Sequence, residues 1–182
     1  MPLSPPAKRK LLHTRQIICQ GFQREDGLWD IEGRMTDTKT YDFANEDRGG
    51  TIRAGEALHH MLVRITIDDH MVITDAEVVM EETPFAICPS IAPSFKGMIG
   101  MQLGPGLRME LGAKFGGVAG CTHIVELMGP ITTTAFQTMA GKRPPGGATK
   151  TRPPIIDRCH AMAEDGPVVA RLWPQFAKVK DK

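Results

Sequence analysis

The chain has 182 residues, 41% of them hydrophobic and 24% charged, and 22 Lys and Arg against 21 Asp and Glu leave a formal net charge of +1. This is the composition of a globular chain of one principal domain, and at this size roughly 70% of the unfolded surface can be buried without staples. The balanced charge argues against nucleic acid, whose phosphates call for Lys and Arg clustered on one face.

Met1 to Leu12 is Pro-rich and basic at Lys8, Arg9 and Lys10, without the apolar core of a secretory signal, and reads as a disordered arm. A single domain is expected over residues 13–140. Gln16 to Phe22 alternates with β-branched and aromatic residues as a strand does, and Glu25-Asp26-Gly27 is a turn. Leu28 to Met35 alternates at period two, so Asp26-Gly27 closes a hairpin. After the polar loop Asn45 to Gly50, Ala57 to Asp68 and Met71 to Met80 form a second hairpin around Asp68-Asp69-His70.

The second half reads as helical. Pro84 to Leu103 carries Ile87, Ile91, Phe95, Met98, Ile99 and Leu103 at spacings of three and four, interrupted by Pro89 and Pro93. Cys121 to Met139 has an apolar face of Ile124, Leu127, Met128, Ile131, Ala135 and Met139, and Pro130 is expected to kink or split that helix. Residues 141–154 are a Pro/Gly linker, and 155–182 form a C-terminal helix or extension. Strands first and helices after, without βαβ alternation, predict an α+β fold of two antiparallel hairpins packed against helices.

Four cysteines are too sparse for a disulfide framework. No stretch reads as a membrane span, because Phe115 to Gly141 is interrupted by His123, Glu126 and Pro130. A cytoplasmic protein with reduced thiols is the expectation.

Several clusters have the residue types that chemistry needs. Cys121 opens a helix, where the dipole and free N–H groups favour thiolate, and His123 and Glu126 share a face one turn in. His59 and His60 enter the third strand and must point to opposite faces. In the first hairpin, Asp30, Glu32, Arg34, Thr36 and Thr38 share one face, while Asp37 and Lys39 fall beside Trp29, Ile31 and Met35 on the apolar one. A Lys held against apolar surface is a usable base. The alternative is that alternation ends near Met35 and an exposed loop follows. Cys88 lies where the fourth strand gives way to a helix, and Cys159-His160 follows the linker. No phosphate loop, dinucleotide fingerprint, nucleophile elbow or zincin helix is present in the sequence.

Arg24-x-Asp26-Gly27-Leu28-Trp29-Asp30-x-Glu32-Gly33, Asp37-x-Lys39, Gly55-Glu56-x-x-His59-x-Met61, Gly120-Cys121-Thr122-His123 and Asp157-x-Cys159-His160 resemble a bacterial family described as a domain of unknown function. The resemblance implies a link to catabolism of aromatic and lignin-derived compounds. Gly55 to Met139 is also similar to the U-type scaffold proteins of iron–sulfur cluster assembly, with His59 to Met61, a hairpin, Cys88 and Cys121-Thr122-His123 in the same order. That resemblance implies convergence of His59, Cys88 and Cys121. One zinc or iron ion would be held there, with His123, Glu126 or water in the fourth position.

Taken together, the expectation is a small-molecule enzyme without an organic cofactor, a carbon–carbon lyase of the retro-aldol or deformylation type acting on an aromatic metabolite. Lys39 or His59 is the candidate base, oriented by Asp37 or Glu32, with His123 or a metal at His59, Cys88 and Cys121 stabilising developing charge. Arg24, Trp29 and Arg34 are candidate substrate-binding residues, and Trp29, Phe85, Phe95 and the methionines are an apolar supply for the pocket. The alternatives are a metal or iron–sulfur carrier and a ligand-binding protein of the same pathway. The expected partners are an aromatic small molecule and further copies of the chain.

Overall fold

The computed structural model describes residues 3–142 and 150–178. In chain order it contains β1 (His13–Gln23), β2 (Trp29–Lys39), β3 (Phe43–Asn45), β4 (Gly50–Ile52), β5 (Ala57–Ile67), β6 (Ile73–Glu82), α1 (Leu107–Phe115), α2 (Thr122–Thr138) and α3 (Pro167–Leu172). The chain divides into two units, one ending at Thr138 and one beginning at Met139. The fold is α+β, as the sequence predicts. No helix among the described residues is long and apolar enough to cross a membrane.

β1, β2, β5 and β6 form an antiparallel sheet in that order, and β3 and β4 form a separate small hairpin inserted between β2 and β5. The two main hairpins fall where the alternation places them. Gly27 turns the first with a φ of +86°, and Arg24 N–H donates to Leu28 O at 2.9 Å across it. Pairing of β1 with β2 is symmetric about Asp26, so Arg15 faces Asp37 and Cys19 faces Gly33. In the second turn Asp68 Oδ1 accepts from the N–H groups of His70 and Val72 at 2.8 and 2.9 Å. The β3–β4 hairpin lies partly in the stretch read as a polar loop; strands of three residues are too short to show a period.

The face of the sheet bearing Trp29, Ile31, Met35, Met61, Val63, Ile65 and Ile67 is buried. The alternate residues carry charge: Arg64 bridges Glu32 at 3.0 Å and Glu77 at 3.5 Å. α2 lies on the buried face through Ile124, Leu127, Met128, Ile131 and Ala135. It continues as one helix through Pro130, so of the kink or split expected there the split does not occur. Its two halves sit against one sheet, and Thr132 Oγ1 donates to Met128 O at 2.7 Å beside the proline.

The helix predicted over Pro84 to Leu103 is instead a 3-10 segment, Cys88–Met98. Pro89 and Pro93 supply no N–H, so an α-helical ladder cannot close there. Phe95 and Met98 are buried, whereas Ile87 and Ile99 of the expected stripe are exposed. α1 has no counterpart in the sequence reading. Leu107, Leu111 and Phe115 are its buried residues, too few turns for a convincing period.

Residues 3–12 of the expected arm are exposed and carry neither helix nor strand. Much of the expected linker, residues 143–149, lies outside the described residues. In the second unit Ile156, Val169 and Trp173 are buried together, with Met162, Leu172 and Phe176 packed on them.

Two glycines set how closely α2 approaches the sheet. A Cβ at Gly33 would lie 2.6 Å from Ile131 Cδ1 and 3.2 Å from Leu127 Cγ, and one at Gly21 would overlap the side chain of Thr138. Gly112, exposed on α1, has nothing within 4 Å of its Cβ position. Gly33→Ala is therefore expected to destabilise by about 1–3 kcal/mol through overpacking. Gly112→Ala should stabilise by about 0.5–1 kcal/mol through helix propensity. Urea unfolding of the two variants checks both signs.

Candidate functional site

The apolar alternation of β2 ends in a carboxylate. Asp37 is only 1% exposed, and a buried charge is tolerable only when paired and hydrogen-bonded. The sheet register supplies the partners, because Arg15, Asp37 and His59 stand directly opposite one another on β1, β2 and β5. Arg15 donates from Nε to Asp37 Oδ1 and from Nη2 to Oδ2, both at 2.8 Å. His59 Nδ1 donates to Oδ2 at 2.9 Å, and His13 Nε2 lies 3.2 Å from Oδ1. Three donors and the nearby His13 nitrogen thus surround the two carboxylate oxygens, and the fork of Arg15 fits them bidentately.

Burial pushes the Asp37 carboxyl up, but Arg15 and His59 outweigh it and bring its pKa down from 3.8 to about 2. His59 moves the opposite way from a salt-bridged histidine. Burial lowers its pKa below 6.5, against the raising influence of Asp37, and the positive charge of Arg15 adds to the lowering. It is therefore a neutral imidazole at pH 7. Since Nδ1 carries the proton given to Asp37, Nε2 keeps its lone pair on the far side of the ring.

α2 brings its first turn to this row. The rings of His59 and His123 lie with centroids 3.9 Å apart, tilted by 38°. Glu126 Oε2 accepts from the remaining Arg15 nitrogen, Nη1, at 2.6 Å. Cys121 caps the helix, its carbonyl accepting from Val125 N–H at 3.0 Å, and its Sγ lies 3.8 Å from His123 Nδ1. Burial raises the thiol pKa, but His123 and the N–H groups of Ile124 and His123 outweigh it, for a net lowering. Ligand-capable atoms of Asp37, His59 and His123 lie within 4.8 Å of one another.

The structure thus brings Asp37, His59 and His123 together, with Cys121 and Glu126 beside them. It separates the other candidates. Lys39 Nζ lies over the rings of Tyr41 and Phe43, at 5.4 and 5.7 Å from their centroids. Glu32 is on the opposite face of β2, bound to Arg64, so it orients neither Lys39 nor His59. Arg24 braces the first turn through Asp26 and Asp30, and Arg34 is exposed on the outer face. Trp29 is buried and donates to Asp69 at 3.0 Å.

Among the described residues neither Cys88 nor Cys121 joins His59 in a ligand-capable group; His59 is grouped with Asp37 and His123 instead. Cys88 opens the 3-10 segment, where Ala86 N–H, two residues before it, is held by Asp47. The expected pocket aromatics disperse as well. Phe95 is buried in a stack on Phe115, with centroids 4.8 Å apart, and Phe85 is 58% exposed. Cys159 is exposed in the second unit.

A cleft of about 720 Å³ opens between α1 and α2, lined by Leu107, Leu111, Phe115, Val125, Met128 and Thr132. Thr122 and Glu126 also line it, the latter held by Arg15, whereas Asp37, His59 and His123 do not. Sequence reasoning missed Arg15 and His13. Reflecting β2 about Asp26 would have placed Arg15 opposite Asp37.

The protein is thus a two-layer α+β fold that carries a buried carboxylate–imidazole pair beside a helix N-terminus. Residues 13–137 match the family model described as Protein of unknown function (DUF2889), and the chain belongs to that family. That segment holds every residue of the cluster. Comparison with curated proteins and comparison with solved structures return no match.

The titrations give the cluster a measurable acid response. Asp37 has a depressed folded pKa, so its contribution is complete above about 3.8 and lost as pH falls through about 2, worth about 2 kcal/mol. His59 also has a depressed folded pKa, so the unfolded chain binds its proton first and stability begins to fall as pH drops through 6.5. Denaturation midpoints measured from pH 8 to 2 should fall in these two windows. Asp37→Asn should flatten the lower one.

Proposed function

We propose that the protein is a small-molecule enzyme in which His59 takes and returns a proton, and that its reaction is carbon–carbon lyase chemistry of the retro-aldol or deformylation type on an aromatic metabolite. The observation that carries the reading is the row Arg15, Asp37, His59 across three strands, which holds one neutral imidazole by Nδ1 and leaves Nε2 free. A base positioned in this way is what general acid–base catalysis requires.

In the proposed reaction Nε2 removes the proton from a hydroxyl group, the C–O bond becomes a carbonyl, and the adjacent C–C bond breaks. The electron pair left behind passes to a carbon conjugated with an electron-accepting group, and protonated His59 returns the proton there. In this scheme His123, whose ring lies against that of His59, donates to the charge that develops. Asp37 touches no substrate in this scheme; it positions His59 and fixes its tautomer. The cleft between α1 and α2 has a volume in the range of roughly 300–1,000 Å³ typical of ligand sites and a mostly apolar lining suited to an aromatic ring; His59 and His123 do not line it, and it meets the row through Glu126.

The test is a panel of aromatic compounds bearing a hydroxymethyl group beside an activated carbon, scored for the aldehyde released. His59→Ala should lower kcat by about 100-fold or more. Asp37→Asn should lower kcat while leaving KM nearly unchanged, because it disturbs the tautomer and not the substrate contacts. Lys39→Ala should retain activity. Aldehyde release that persists in His59→Ala and disappears in Lys39→Ala would overturn the assignment of the base.

A further inference from the structure

We propose that β1 is the contact strand of a two-fold dimer, pairing antiparallel with β1 of a second copy of this chain so that the two sheets become one. The sheet order puts β1 at one edge and β6 at the other, and the two edges are finished differently. At the start of β6 the N–H of Ile73 donates to Met101 O at 2.9 Å and the N–H of Gly100 donates to Ile73 O at 2.8 Å. The strand itself carries Asp75, Glu77, Glu81 and Glu82. Coverage and charge are two of the ways in which proteins protect an edge. β1 has neither. From Gln16 to Gln23 it holds no charge and no proline, and Ile17, Ile18 and Phe22 are 36, 45 and 45% exposed.

The backbone says what belongs on that edge. In an antiparallel pair the N–H and C=O groups of alternate residues point to the partner strand, and those between point away from it. Arg24 N–H donates to Leu28 O at 2.9 Å at one end of β1, and Thr40 N–H donates to Leu12 O at 3.3 Å at the other. The even-numbered residues of β1 therefore bond to β2. The backbone groups of His13, Arg15, Ile17, Cys19, Gly21 and Gln23 point outward, and no described residue bonds to them. Such a row is satisfied by another extended strand.

The sequence of β1 fits a second copy of itself. A two-fold axis presents the same strand from both sides, so one pairing closes both edges. With the axis on Ile18 all eleven residues of the strand find a partner. Ile18 then meets Ile18, Gln16 meets Gln20 and Ile17 meets Cys19, each pair on one face of the sheet. Arg15 meets Gly21, so no like charges are opposed, which would destabilise the pairing. β1 also supplies Arg15 and His13 to Asp37. The dimer therefore holds from its open side the strand that neutralises the buried carboxylate.

The experiment is sedimentation equilibrium of the full chain over a range of concentrations. The parent should reach twice the chain mass of 19.9 kDa. Ile18→Lys sets two ammonium groups against each other on the axis and should raise the dimer Kd by about 10-fold or more. Ile18 shares the outer face of the sheet with Arg34, so the change leaves the buried face alone. Val79→Lys, the same change on β6 at 42% exposure, should dimerise as the parent does. Circular dichroism confirms that each variant folds. Opposed Ile18 residues form a non-hydrogen-bonded pair with Cα atoms about 4.5 Å apart, within reach of a disulfide. Ile18→Cys in a Cys19→Ser background should therefore give a cross-linked dimer on oxidation, whereas Gln20→Cys in that background should not.

A parent chain that stays monomeric at every concentration overturns the proposal and leaves the edge to a strand of another protein. A folded Ile18→Lys that dimerises as tightly as the parent overturns it as well. Dissociation by Val79→Lys alone moves the interface to β6, with the same consequence. Equal cross-linking through Gln20→Cys and Ile18→Cys refutes the register centred on Ile18. If Ile18→Lys does not fold, the cross-link alone decides, and its absence in a folded Ile18→Cys chain overturns the pairing.

Discussion

The constraint on which the site depends is the burial of one carboxylate. Asp37 sits at a position where β2 otherwise turns apolar residues inward, and at 1% exposure its charge depends on protein partners. Its partners are the residues opposite it, so the hydrogen bonds that neutralise it also pin β1 and β5 to β2 in one register. A slip of one residue would turn Arg15 and His59 to the other face and leave the charge unpaired. Removing one member of such a group commonly costs about 3–5 kcal/mol, because the remaining charge stays buried. Cluster and register hold each other in place.

The helix is fixed with comparable economy. Gly33 and Gly21 lack the Cβ atoms that would collide with Ile131, Leu127 and Thr138, so α2 lies close on β1 and β2. Close approach at the middle and C-terminal end of α2 sets where its N-terminal turn falls. That turn puts His123 on His59 and Glu126 on Arg15. Packing at Gly33 thus bears on the cluster, because Leu127 and Ile131 lie on the same helix as His123.

What could be read in the sequence follows from which interactions are local. The hairpins were legible because Asp26-Gly27 and Asp68-Asp69-His70 mark turns, and each strand is long enough to show its period. α2 was legible from the spacing of Ile124, Leu127, Ile131 and Ala135. For Asp37 two readings stayed open, a charge on an apolar face or a loop after Met35, and burial decides for the first. The choice between His59 and His60 was not, because both fit a strand and only the pairing across β2 decides it. Arg15 was hidden for a similar reason: on an edge strand of mostly exposed residues, burial gives no pattern, and its role appears only when the hairpin is folded about its turn. Cys88 misled because order along the chain was read as proximity. The 3-10 segment imposed by Pro89 and Pro93 placed it by rules that the helical stripe does not contain.

These failures share a physical origin that bears on the site itself. Wherever local preference and pattern agree, as in β5 between Met61 and Ile67, the sequence predicts structure and the structure has no reactive group to offer. At Asp37 the pattern and the residue conflict, and the fold resolves the conflict with a fork from Arg15 and an imidazole from His59. The resolution leaves a by-product: a histidine neutral at pH 7, oriented by Nδ1 and with a lone pair facing away from the carboxylate. An exposed histidine of ordinary pKa has neither fixed tautomer nor fixed direction. The burial that makes Asp37 costly is therefore the same burial that holds His59 neutral and oriented, and one environment accounts for both.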